Sequence, residues 1–88
     1  MDLNDYRKKI DAVDAQLLAL FEQRMDVAAE IAACKRENGL PTLDSGREQA
    51  KLDDIASRVR PEFADYARTL YQTLFAVSRD YQSRLNDR

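Results

Sequence analysis

Thirty-five consecutive residues, Leu3 to Glu37, contain neither glycine nor proline, and their apolar positions recur on a seven-residue period. Leu3, Ile10, Leu17, Arg24 and Ile31 form one series; Tyr6, Val13, Leu20, Val27 and Cys34 form a second, offset by three. These are the a and d positions of five heptads, the pattern of helices packed along a seam. At the α-helical rise such a segment spans roughly 50 Å. A compact globule of 88 residues has a radius of gyration of about 12 Å and a diameter near about 30 Å. The helix must therefore project beyond any core the chain can build alone. The projecting part still carries Leu, Val and Ile on its stripe. A second copy of the chain is the simplest cover, so the sequence predicts a homodimer with the long helices packed together.

Composition narrows the class further. Two glycines, two prolines and 34% charged residues suit an all-α protein and argue against a sandwich or barrel. The net charge of −2 gives no general attraction to nucleic acid, so any cation-rich site has to be local. Cys34, the sole cysteine, forms no internal disulfide and points to a reducing compartment. No run approaches the roughly 20 apolar residues that span a bilayer, and the N-terminal MDLNDYRKK lacks the apolar segment of a signal peptide. A cytoplasmic location with no membrane partner is expected. Histidine is absent, which removes the commonest general base and metal ligand; with no Cys or His cluster, no metal site is expected.

Both glycines and one proline fall in GLPTLDSGRE, residues 39–48. Asn38-Gly39 reads as a helix stop, with Gly39 at the left-handed position beyond the end. A second helix, about 44–59, restarts at Asp44 or Ser45; Ser45 and Glu48 have the spacing of a capping box. Its apolar face is Leu52, Ile55, Ala56 and Val59. Arg60-Pro61 ends it, and Pro61 suits the start of the next helix. The third helix, about 62–86, carries Phe63, Tyr66, Ala67, Leu70, Leu74, Val77, Tyr81 and Leu85. With no repeat, low-complexity run or linker, residues 1–88 read as one domain of three helices, the first very long.

Several polar residues sit where the pattern calls for apolar ones. Arg24 occupies an a position, where an unpaired buried charge is costly. It is either a register-setting or snorkelling arginine or part of an anion site inside the bundle. Lys35 lies eleven residues later, almost three whole turns, so it shares a face with Arg24 at about 16 Å along the axis. Long side chains at that separation can close on a small metabolite. Arg7, 17 residues before Arg24 and roughly 25 Å away, cannot meet the same ligand from the same chain, but Arg7 of the partner subunit can in an antiparallel dimer. Ser78 and Gln82 are four apart and point the same way. Taken singly, these two are polar residues at a helix interface, Asp44 an N-cap, Glu48 a capping-box partner and Arg47 a solvated first-turn residue.

Taken together, these residues resemble a known family. Arg7 and Arg24 in YRKKIDAVDAQLLALFEQR, Lys35 in ACKRENGLP, the DSGRE of Asp44–Glu48, and Ser78 with Gln82 in VSRDYQ make the chain similar, over nearly its whole length, to the all-helical class of chorismate mutases. That class includes free-standing bacterial enzymes and the mutase domains fused to prephenate dehydratase or dehydrogenase. The resemblance implies an intertwined homodimer of three-helix chains with two sites, each completed by an arginine of the partner's long helix. It implies the rearrangement of chorismate to prephenate, on the route to phenylalanine and tyrosine, with no cofactor. It also implies roles: Arg7 of the partner subunit and Arg24 on the substrate carboxylates, Lys35 and Gln82 donating to the ether oxygen, Asp44 and Glu48 receiving the hydroxyl, and Ser78 on a carboxylate. Arg47 is expected to orient Glu48 or a carboxylate. The segment from Asn38 to Glu48 is then a return that closes over the site. Two rivals stand beside this reading: an isochorismate-pyruvate lyase of the same fold, which the Asp44/Glu48 pair fits less well, and a non-enzymatic helical dimerisation module, which leaves Arg24, Ser78 and Gln82 unexplained.

Overall fold

In the computed structural model, which describes residues 1–87, three helices follow one another: α1 (Leu3–Glu37), α2 (Ser45–Arg58) and α3 (Ala64–Asn86). A 3-10 turn, Pro61–Phe63, leads into α3, and no strand occurs among the described residues. No helix among them is long and apolar enough to cross a membrane.

Each boundary has a local cause. Asp2 caps α1 in a reciprocal capping box with Asp5, each carboxylate accepting the other's backbone N–H at 3.0 Å. At the far end Gly39 takes φ +63°, as expected. Its N–H bonds the Arg36 carbonyl and the Leu40 N–H bonds the Lys35 carbonyl at 2.8 Å, the paired bonds of a Schellman stop. Helix α2 begins at Ser45, within the expected start, but its cap is not the expected box. Asp44, rather than Ser45, is the N-cap, its Oδ1 accepting the Arg47 N–H at 3.1 Å, so Ser45 and Glu48 do not form the expected box. An aspartate one residue earlier takes the capping position, and its charge suits the positive end of the helix dipole. Ahead of Pro61, Arg60 is extended (φ −58°, ψ 143°), as the proline ring requires of the residue before it.

Helix α3 packs against both others, while α1 and α2 do not pack on each other. The buried centre is small: Leu52 and Ile55 of α2 and Phe75 of α3, with Ala67 and Tyr71 against them. Tyr71 and Phe75 meet edge to face at 6.0 Å. On α1 the residues buried within the chain are Ala28 and Ala32, whose small side chains let α3 approach. The heptad stripe is elsewhere. Leu3, Tyr6, Ile10, Val13, Leu17 and Leu20 are all more than half exposed, and Val27 and Ile31 are exposed as well. Nor does the expected apolar face of α3 match its buried one: Tyr66, Leu70 and Val77 are exposed, whereas Phe75, Ser78 and Gln82 are buried. The molecule measures 54 × 27 × 14 Å, with a radius of gyration of 16.1 Å against the roughly 12 Å of a compact chain this long.

A cation-lined cleft between the first two helices

Because α1 and α2 stand apart on α3, a cleft of about 350 Å³ opens between them. Its floor is α3, through Phe75, Ser78 and Gln82. One wall is α1, with Arg24, Ala28, Ile31 and Lys35; the other is the loop and α2, with Thr42, Asp44, Arg47 and Glu48. Seven of the eight residues singled out from the sequence thus line one cavity. Arg7 does not: it lies on the exposed N-terminal half of α1, roughly 25 Å along the helix from Arg24.

Five cationic side chains and two carboxylates line the cleft, a local excess of positive charge in a chain of net charge −2. Arg24 is half-buried. Its Nη1 donates to Ser78 Oγ at 2.6 Å, and its guanidinium lies 5.9 Å and 5.7 Å from the ring centres of Tyr71 and Phe75. Lys35, also half-buried, donates from Nζ to the Thr42 carbonyl at 2.7 Å, tying the end of α1 to the loop that enters α2. Both cations are thus held by neutral oxygens, and among the described residues neither joins an ion pair. Charges partly withdrawn from water and left without a counter-charge favour an anion between them. Gln82 adds an amide that is 7% exposed and whose Oε1 has no hydrogen-bond partner among the described residues. Oε1 is an acceptor, and it is the amide turned over that presents the Nε2 donors an anion requires.

Two of the cations were not singled out from the sequence. Arg79 forms the ion pair on Glu48, the place at which Arg47 was expected; Arg47 is exposed at the rim. Between Ser78 and Gln82, an arginine reads as a solvated charge, and nothing in the spacing aims it at a residue 31 positions away. Lys51, one turn beyond Glu48, also lines the cleft and pairs locally with Asp54 at 3.5 Å. Thr42 takes part through its main chain, for which the sequence carries no signal. No group of three or more His, Cys, Asp or Glu side chains is placed to hold a metal ion among the described residues.

Fold and cleft define a class: an all-helical protein with a small cavity suited to a compact polyanion. Residues 6–83 match the family described as chorismate mutase type II, and the chain belongs to that family. It is 33% identical over 70 residues to the T-protein of Haemophilus influenzae, a match taking in 80% of this chain and 18% of that protein. To the chorismate mutase of Methanocaldococcus jannaschii it is 38% identical over 53 residues, covering 60% of this chain and 54% of the relative. To the intracellular chorismate mutase of Mycolicibacterium smegmatis it is 28% identical over 69 residues, covering 78% and 66%. The chain therefore spans less than two thirds of the length of each of these relatives. No solved structure gives a significant match.

Proposed function

We propose that this chain is a chorismate mutase, converting chorismate to prephenate without a cofactor, in the cytoplasm and on the route to phenylalanine and tyrosine. The observation that carries the reading is the pair Arg24 and Lys35: two half-buried cations, held by neutral oxygens, converging on a cavity of metabolite size with the buried Gln82 amide.

The reaction is a unimolecular [3,3] shift. One C–O bond breaks, one C–C bond forms, and no proton or electron enters or leaves. It needs no nucleophile or general base, and the cleft is lined by neither histidine nor cysteine. What the protein must supply is the compact, chair-like conformer of a flexible dianion and donors aimed at the ether oxygen, where negative charge builds. Arg24 takes a carboxylate in the two-pronged geometry of a guanidinium, with Ser78 beside it. Lys35, from the α1 wall, and the Gln82 amide, from the α3 floor, donate to the ether oxygen. Asp44 and Glu48 receive the hydroxyl at the loop side, and Arg47 holds a carboxylate at the rim.

The active form is an intertwined homodimer, one domain per chain, in which Arg7 of the partner subunit supplies the second carboxylate contact. Surface area supports this. The chain exposes 6992 Å², against about 5,300 Å² for a compact monomer of its mass. The excess, on the order of 1,700 Å² per chain, falls in the range that an obligate homodimer buries. The apolar stripe of α1, uncovered in the single chain, is the surface available for it.

The test is the loss of chorismate absorbance with purified protein in buffer containing EDTA, with prephenate identified by its conversion to phenylpyruvate in acid. Saturable turnover is expected. If chorismate is untouched while isochorismate is split, the lyase reading takes its place; if neither reacts, the cleft has another ligand.

A further inference from the structure

We propose that Arg79 is a positioning residue: it holds the Glu48 carboxylate in the cleft and cancels its charge, so that Glu48 can accept a substrate hydroxyl without repelling a dianion. This rests on the mutase reading and adds to it a residue that touches no reacting atom.

The ion pair between Arg79 and Glu48 differs from every other among the described residues. It alone joins two helices, α3 to α2. The others are local, either within one turn of a helix or between Arg60 and Glu62 in one connection. It is also the least exposed, at 34% and 25% of the two side chains, where every other paired side chain is at least 42% exposed. Local, solvated pairs contribute little. A pair that bridges two elements at the edge of a cavity fixes the position of whatever it holds.

The chemistry explains why Glu48 needs holding. A glutamate has several rotatable bonds, and Arg47, Lys51 and Lys35 line the same cleft. Left free, the carboxylate would pair with one of them and neutralise a cation meant for the ligand. Arg79 takes Oε1 and leaves the second oxygen with lone pairs for a hydroxyl donor. Its place in α3, directly after Ser78 and three residues before Gln82, ties this hold to the floor that carries both.

The experiment is a double-mutant cycle on kcat and KM for chorismate, using the wild type, Arg79→Ala, Glu48→Gln and the double variant. With Glu48 present, Arg79→Ala is expected to lower kcat/KM by about 10- to 100-fold, the scale of a misplaced binding group. In the Glu48→Gln background the same change is expected to cost less than about threefold, because there is no carboxylate left to place. Arg79→Lys is expected to recover part of the loss. Equal losses in both backgrounds overturn the proposal, since Arg79 would then act on the substrate or the fold directly. If Arg79→Ala does not fold, Arg79→Gln, which keeps the aliphatic stem, takes its place in the cycle with the same expected losses. A wild type inactive on chorismate removes the mutase reading and this inference with it; an active wild type with additive losses removes the inference alone.

Discussion

At the scale of single residues, the site is made of charged and polar side chains drawn partly out of water and held by partners within the chain. Lys35 shows this most directly. Its ammonium is bonded to a carbonyl and to no carboxylate among the described residues, so it keeps its charge for an incoming anion. Lys35→Ala should lower kcat by about 10²- to 10³-fold, the worth of one aimed electrostatic donor. A loss of less than about tenfold in steady-state turnover removes it from the ether oxygen. Gln82 tests the same idea through pH. The amide is neutral at every pH, so wild-type turnover has no acid limb from this position. After Gln82→Glu, the introduced carboxyl donates only when protonated. Activity should then be low where the carboxyl is ionised and rise as pH falls through its pKa. A pH profile parallel to that of the wild type would refute the role.

At the scale of elements, the two glycines give a controlled contrast. Gly39 has φ +63° in the stop after α1, with nothing within 4 Å of an added Cβ, so Gly39→Ala meets backbone strain alone. It should cost about 1–2 kcal/mol in denaturant unfolding. Gly46, in the first turn of α2, has ordinary helical space, its added Cβ 3.8 Å from Asp44 Oδ1; Gly46→Ala should stabilise by about 0.4–1 kcal/mol. Equal shifts in the two variants would contradict the assignment of the turn. Much of this architecture was legible in the residues themselves: the unbroken heptads, the Asn38-Gly39 stop and Pro61 mark all three helices. So were half of the cleft residues: Arg24 and Gln82 violate an apolar pattern, and the family resemblance gathered Asp44, Arg47 and Glu48 beside them. The packing inside the chain was not. Ala28 and Ala32 carry little hydrophobic signal, yet it is their small size that admits α3. The a/d stripe is so strong that it draws attention to a surface the single chain leaves open. Phe75 is hidden for a related reason: the apolar residues of α3 serve two faces, and one period cannot describe both.

At the scale of the whole molecule, stability and subunit association are expected to be one equilibrium. Leu17 is 54% exposed and Ile10 63% exposed, so in an isolated chain a charged replacement at either would change stability by no more than about 0.5 kcal/mol. In the proposed dimer the same positions are buried. Leu17→Asp should then shift the protein to monomers in analytical ultracentrifugation and lower its unfolding midpoint by several degrees at a given concentration. For the wild type that midpoint should rise with protein concentration; a midpoint independent of concentration would contradict an obligate dimer.

Helix α1 does one more thing on this reading. It carries Arg24 and Lys35 for its own cleft and Arg7 for the other, on one rod without a break between Leu3 and Glu37. The rod is a ruler. It fixes the gauge between two cavities, and nothing else in the chain can adjust that distance. Removing seven residues between Arg7 and Arg24 would keep every stripe position in phase, yet would draw Arg7 in by roughly 10 Å. In the proposed dimer the length of this helix is set by the reach from one cavity to the next, a tighter constraint than seam packing imposes, and one that forbids even in-phase insertions and deletions.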